Sequence, residues 1–186
     1  MSKFSEFGKG VEKWMVRRFA DLIFKDYATG KVTWKLEKFK AEDGKEILEK
    51  NIKPYETIER EFKCLLNEGI SNLIDLITGL AAPTKWDNTN ARIGVGNDGT
   101  APAATQTGLL GVSKLYKAMN AGYPQKSGQQ SIFQSDFITG EAEWAWLEEA
   151  IDNGSVALID LCRQNTSLGT KPAGQTWRLT GTITWS

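Results

Sequence analysis

A chain of 186 residues with 40% hydrophobic composition has the length of one ordinary domain and can bury a sizeable core without disulfide or metal staples. Lys+Arg and Asp+Glu both number 23, so no net field recruits nucleic acid or an anionic bilayer, and neither is an expected partner. The sequence has no histidine, which removes the usual general base near neutral pH and the commonest metal ligand. Its seven tryptophans suit sheet cores and protein contacts.

From Phe7 onward, Val11, Trp14, Met15, Leu22 and Ile23 fall near helical spacing, with Lys13, Arg17 and Arg18 between them. The pattern predicts an amphipathic helical arm over residues 1–30, ending near Tyr27-Ala28-Thr29-Gly30. Nothing at the N-terminus resembles a signal peptide, and the most apolar run, Leu73 to Leu80, is broken by Asp75 and Thr78, well short of a spanning helix. Cys64 and Cys162 stand far apart without metal-ligand spacing and read as reduced, small apolar residues.

The period then becomes two, with Val32, Trp34 and Leu36 on one side and Lys31, Thr33, Lys35 and Glu37 on the other: a half-buried strand. Ala41 to Gly44 is a turn, and Lys45 to Lys53 is a loop or a short helix before Pro54. Residues 55–66 fit both periods, with strand preferred. Ile70, Leu73, Ile74, Ile77 and Leu80 are spaced for one helical face, with Asn67 placed as N-cap and Gly79 near the C-terminus. After Pro83 the composition turns to Thr, Asn, Gly and Ala, which suggests a subdivision near 80–84.

Beyond it, short strands at Arg92 to Val95, Leu115 to Met119 and Ile132 to Ile138 alternate with turn-rich stretches. Residues 141–151 read as a strand in preference to a helix, and Asp152-Asn153-Gly154-Ser155 as a hairpin-like turn into the apolar run Val156 to Cys162. The last strand alternates most clearly: Trp177, Leu179, Ile183 and Trp185 face one way, while Thr176, Arg178, Thr180, Thr182 and Thr184 face the other. The expected fold is mainly β (α+β): an antiparallel β-sandwich or small barrel over residues 31–186, with one short packed helix and the N-terminal helical arm.

Several motifs invite a chemical reading. Gly94-Val95-Gly96-Asn97-Asp98-Gly99 satisfies G-x-G-x-x-G after a short strand, but Pro102 follows and no apolar helical period supplies the helix N-terminus that a pyrophosphate needs, so a tight glycine-rich turn is the expectation. No P-loop accompanies Gly30-Lys31. Glu141, Glu143, Glu148 and Glu149 beside Trp144 and Trp146 have the residue types of a glycan-binding or glycan-cleaving site, but solvated acids flanking a Trp-bearing strand are the expected reading. Asp87, Asn88, Asn90, Asn97 and Asp98 offer oxygens without EF-hand spacing, and the Asn153 and Asn165 sequons carry no meaning without secretion. No catalytic, cofactor or metal residue is therefore assigned.

Taken together, several ordered segments are familiar: Asn67-Glu68-Gly69-Ile70 with Leu76-Ile77-Thr78-Gly79, Asn90 to Gly96, Ala104 to Leu109, Tyr116 to Met119 through Gly122 to Gln125, Gly140-Glu141-Ala142 before Trp144-Ala145-Trp146, and Leu168 to Lys171 with Gly174 to Thr180. This order and spacing over residues 60–186 resembles a family of small tailed-bacteriophage and prophage virion structural proteins. The sequence departs from the pattern at Glu143 and Leu147-Glu148-Glu149, and in its long N-terminal stretch. The resemblance implies a non-enzymatic virion subunit, assembled in the host cytoplasm. A capsid decoration or cement protein is the first expectation, with a tail, collar or fibre component and a carbohydrate-binding module as alternatives. The expected partners are the major capsid protein or other virion proteins and copies of itself in a closed oligomer such as a trimer. Trp14, Phe19 and Trp34 are the expected contact residues.

Overall fold

The computed structural model describes residues 31–63, 65–79 and 82–185. Strands β1 (Lys31–Phe39), β2 (Glu56–Phe62), β3 (Arg92–Gly96), β4 (Lys114–Ala118), β5 (Gln125–Ser127), β6 (Gln130–Phe137), β7 (Ala145–Asp152), β8 (Asp160–Thr170) and β9 (Thr176–Thr184) form two sheets, and α1 (Gly44–Glu49) and α2 (Asn67–Thr78) are the helices among these residues. One sheet runs β2-β1-β9-β6-β5 and the other β4-β3-β7-β8, with every strand pair antiparallel. The result is an antiparallel β-sandwich. The change of composition at 80–84 does not divide it, because β1 lies between β2 and the C-terminal β9. The expected arm over 1–30, with Trp14 and Phe19, lies outside the described residues.

The alternation read from the sequence is what closes the core. Val32, Trp34 and Leu36 of β1 and Trp177, Leu179 and Ile183 of β9 all turn inward, opposite Ile93, Val95, Ile151 and Cys162 of the second sheet. Trp146 stands at the centre, its ring edge-to-face with Phe137 at 4.8 Å and with Trp177 at 4.9 Å. Its indole N–H is satisfied by the Ala142 carbonyl at 2.9 Å. Trp34, expected at a contact surface, belongs to this core instead: it is only 2% exposed. Its ring lies over Gly181, the partner residue on β9, where a Cβ would come within 2.8 Å of it. The glycine in the Trp/Thr strand is the space that the tryptophan fills.

The start of the helix needs correction, whereas its end falls at Gly79 as expected. Asn67 does not cap α2; Leu66 occupies that position without a side-chain cap bond, and Gly79 closes the helix in the left-handed conformation with φ of 66°. The isoleucine face is also not the buried one. Gly69 and Asn72 are the buried residues, with Leu73 packed partly on the core, while Ile70, Ile74 and Ile77 are exposed. A helix docks by the face that lets the backbones approach: at Gly69 a Cβ would sit 2.5 Å from the Leu161 Cα. Asn72 adds a hydrogen bond to the Thr84 carbonyl at 3.2 Å. The run Val156 to Cys162 is likewise only half strand, since β8 starts at Asp160 and Val156 is fully exposed. Residues 45–49 belong to α1, whose N-cap Asp43 accepts from the Glu46 N–H at 2.8 Å.

Candidate functional site

Residues directly opposed in an antiparallel pair point to one face of the sheet. On the face of the four-stranded sheet turned away from the core, Gly94 opposes Tyr116 and Ala150, Gly96 opposes Lys114 and Glu148, and Ala150 opposes Arg163. Ile93, Val95, Ile151 and Cys162 fall on the other face, in the core. Segment 97–113, which links β3 to β4, closes over the outer face, and α2 lies against β8. Glu148, Asp152, Asp160 and Arg163 are therefore fully buried although they do not point between the sheets.

Glu148 and Arg163 form the centre of this polar layer. Arg163 Nε donates to Glu148 Oε2 at 2.8 Å, and Nη2 lies 2.7 Å from the same oxygen. The carboxylate also accepts the backbone N–H groups of Leu110 at 3.0 Å and Gly111 at 2.6 Å. On its other side the guanidinium donates through Nη1 to the Thr100 carbonyl at 3.2 Å and to Gln106 Oε1 at 3.0 Å. Gln106 in turn donates to the Ala101 carbonyl, and Asn165 on β8 donates to the Gly99 carbonyl. A segment of Gly, Ala, Pro and Thr, with little apolar surface of its own, is thus fixed by charge-assisted bonds at both its flanks.

Behind it, at the junction with α2, lies a carboxyl cluster. Glu68 Oε1 accepts the Asp160 N–H at 2.9 Å, and the Tyr116 hydroxyl, which accepts the Leu109 N–H at 2.9 Å, stands 3.4 Å from Asp160 Oδ2. Asp152 Oδ1 accepts the Gly154 N–H at 2.7 Å. Among the described residues, Asp160 Oδ1 and Asp152 Oδ2 have no hydrogen-bond partner. Burial, with Asp152 and Glu68 as like-charged neighbours, pushes the Asp160 carboxyl well above the usual range. Burial moves Asp152 up to about 6, against the pull of the Gly154 N–H and of Arg92, and burial raises Glu68 as well. The same burial, with Asp160 beside it, raises the Tyr116 hydroxyl. Protons are thus retained here at pH values where exposed carboxylates have lost them.

The glycine motif finds its meaning in this layer. A side chain at Gly94 would meet the Tyr116 ring at 2.6 Å, and one at Gly96 would overlap the Glu148 carboxylate. Residues 97–113 contain no helix that could receive a pyrophosphate. Of the four glutamates considered for glycan chemistry, Glu148 is used as above and Glu149 is buried. Glu141 pairs with Lys117 and accepts the Ile138 N–H at 3.0 Å, while Glu143 accepts the Gly140 N–H at 2.7 Å. Trp146 offers no face to a sugar because it is enclosed by Phe137 and Trp177. Asp87 and Asp98 accept N–H groups two or three residues downstream as ordinary loop caps, and the buried Asn153 side chain braces its own loop through Ser155 and Ile159. Among the described residues, no group of three or more Cys, Asp or Glu is placed to hold a metal ion.

No protein-family model, curated protein or solved structure matches the chain. What its body can do must therefore be argued from geometry. Tyr116, Asp152, Asp160 and Arg163 were not singled out as site residues from the sequence, since a charged residue in a strand reads as solvated until the segment that covers it is known. The one usable signal was Gly94 and Gly96 on alternate positions of a strand, which marks a column kept free for other side chains. Among the described residues, no helix is long and apolar enough to cross a membrane.

Proposed function

We propose that this chain is a non-enzymatic structural subunit of a tailed-bacteriophage virion, and that it decorates and stabilises the capsid shell. The observation that carries the reading is the burial of the Glu148–Arg163 pair beneath segment 97–113. Two fully buried charges are committed to holding a surface segment in one shape, and that segment turns Leu110 and Val112 to solvent. A subunit that works by shape and contact needs a rigid surface of this kind, because ordering a loose one on binding costs affinity. The ordered likeness of residues 60–186 to phage structural proteins supplies the setting, with the major capsid protein as partner and a closed homo-oligomer as the working form.

The test is to add purified protein to undecorated shells and to isolated tails. Saturation of heads in a symmetry-related number, with a gain in heat resistance, is the expected result. Binding to tails and not to heads would replace decoration by a tail or collar role, and binding to neither would end the proposal.

A further inference from the structure

The side of α2 facing away from the body carries Ile70, Ile74 and Ile77, exposed by 40%, 52% and 83%. Their spacing of four and three residues puts them in one stripe. The opposite side is already occupied, since Gly69 and Asn72 are buried. Three aligned isoleucines therefore remain substantially exposed.

Residues 1–30 join β1 at Lys31, and the next residue, Val32, pairs with Phe62 of β2. Asn67, the first residue of α2, lies only five positions after Phe62, a reach of at most about 17 Å. The twelve residues of α2 span about 18 Å, the length of a partner helix of similar size. In residues 1–30 the positions at helical spacing, Val11, Trp14, Met15, Leu22 and Ile23, cover thirteen residues. The charges are also complementary. Apart from Glu68, which is turned toward Asp160, α2 carries Asp75 and no basic residue, whereas residues 11–23 hold Lys13, Arg17 and Arg18 against Glu12 and Asp21.

We propose that the apolar positions of residues 11–23 pack on the Ile70–Ile74–Ile77 stripe of α2 in the same chain. The stripe is the reason a helix with such a face can stand at the surface, and residues 11–23 are the occupant that connectivity and charge select. This inference does not depend on the virion reading.

Trypsin tests it on the full chain, because Lys13, Arg17 and Arg18 lie within the proposed contact. Ile74→Glu/Ile77→Glu should speed cleavage at these three sites at least about tenfold, the equivalent of about 1.4 kcal/mol. Trp14→Glu/Leu22→Glu, which leaves the body untouched, should do the same, and combining the two pairs should add nothing further. Val156→Glu, at a fully exposed apolar residue elsewhere, should change nothing, and a retained cooperative urea-unfolding transition will establish that each variant keeps its fold. Cleavage that ignores both pairs of substitutions overturns the proposal. So does protection that disappears on dilution together with a fall in particle mass, because residues 11–23 would then lie on a second copy.

Discussion

Removing the guanidinium of Arg163 isolates a carboxylate that solvent cannot reach. In Arg163→Met the aliphatic stem remains, but Glu148 keeps only the N–H groups of Leu110 and Gly111, and the bonds to the Thr100 carbonyl and Gln106 vanish. Truncating one partner of a buried ion pair costs about 3–5 kcal/mol. Urea unfolding of the parent and of Arg163→Met at pH 7 measures the difference. Glu148→Gln in the Arg163→Met background removes the stranded charge and should restore at least about 2 kcal/mol at pH 7. A loss under about 1 kcal/mol at pH 7 would show that the pair is hydrated and that segment 97–113 is not held as described.

Three further substitutions probe separate parts of the body. The carboxyl cluster should make the parent protein lose stability as pH rises from about 4 through the value near 6 of Asp152, and Asp160→Asn should flatten that fall in urea melts between pH 5 and pH 8; an unchanged slope would contradict the cluster. Gly69→Ala should destabilise despite the gain of about 1 kcal/mol in helix propensity, because the new methyl meets the Leu161 backbone at 2.5 Å and overpacking costs about 1–3 kcal/mol or more where backbone must move; a rise in the thermal midpoint would refute the close docking of α2. Trp146→Ala should cost about 3–5 kcal/mol by chemical denaturation, and a loss near zero would mean that the Phe137 and Trp177 contacts are not those of a packed core.

The sandwich was legible because its strands alternate cleanly. In β1 and β9 each apolar residue at period two is buried, and in both the turn chemistry at the ends is local. What escaped the sequence depends on residues distant along the chain. Trp34 reads as a contact aromatic until Gly181 is placed opposite it, some 150 positions later. The stripe on α2 reads as a core face until Gly69 proves to be the point of closest approach. Glu148 and Arg163 read as solvated because their strands have a polar face, and only the return of segment 97–113 buries it. Periodicity identifies a face of an element but not what covers that face.

That distinction also bears on where this protein makes its contacts. The inter-sheet core is apolar and supplies stability, while the polar layer outside the second sheet shapes one segment and contributes little that well-packed apolar residues could not. Its value must then lie in what the segment presents. Leu110 is 41% exposed and Val112 completely so, on either side of Gly111, whose N–H is anchored to Glu148. Val112→Glu alters a side chain with no buried surface, so its effect on unfolding should stay within about 0.5 kcal/mol. If the tip is a contact point with the shell, the same change should weaken shell binding at least about tenfold, because a charge buried at an interface without a partner is costly. Sedimentation of labelled protein with undecorated shells reads this directly. Equal binding by parent and Val112→Glu, in the presence of saturable decoration, would remove segment 97–113 from the interface and leave its rigidity without a contact to serve.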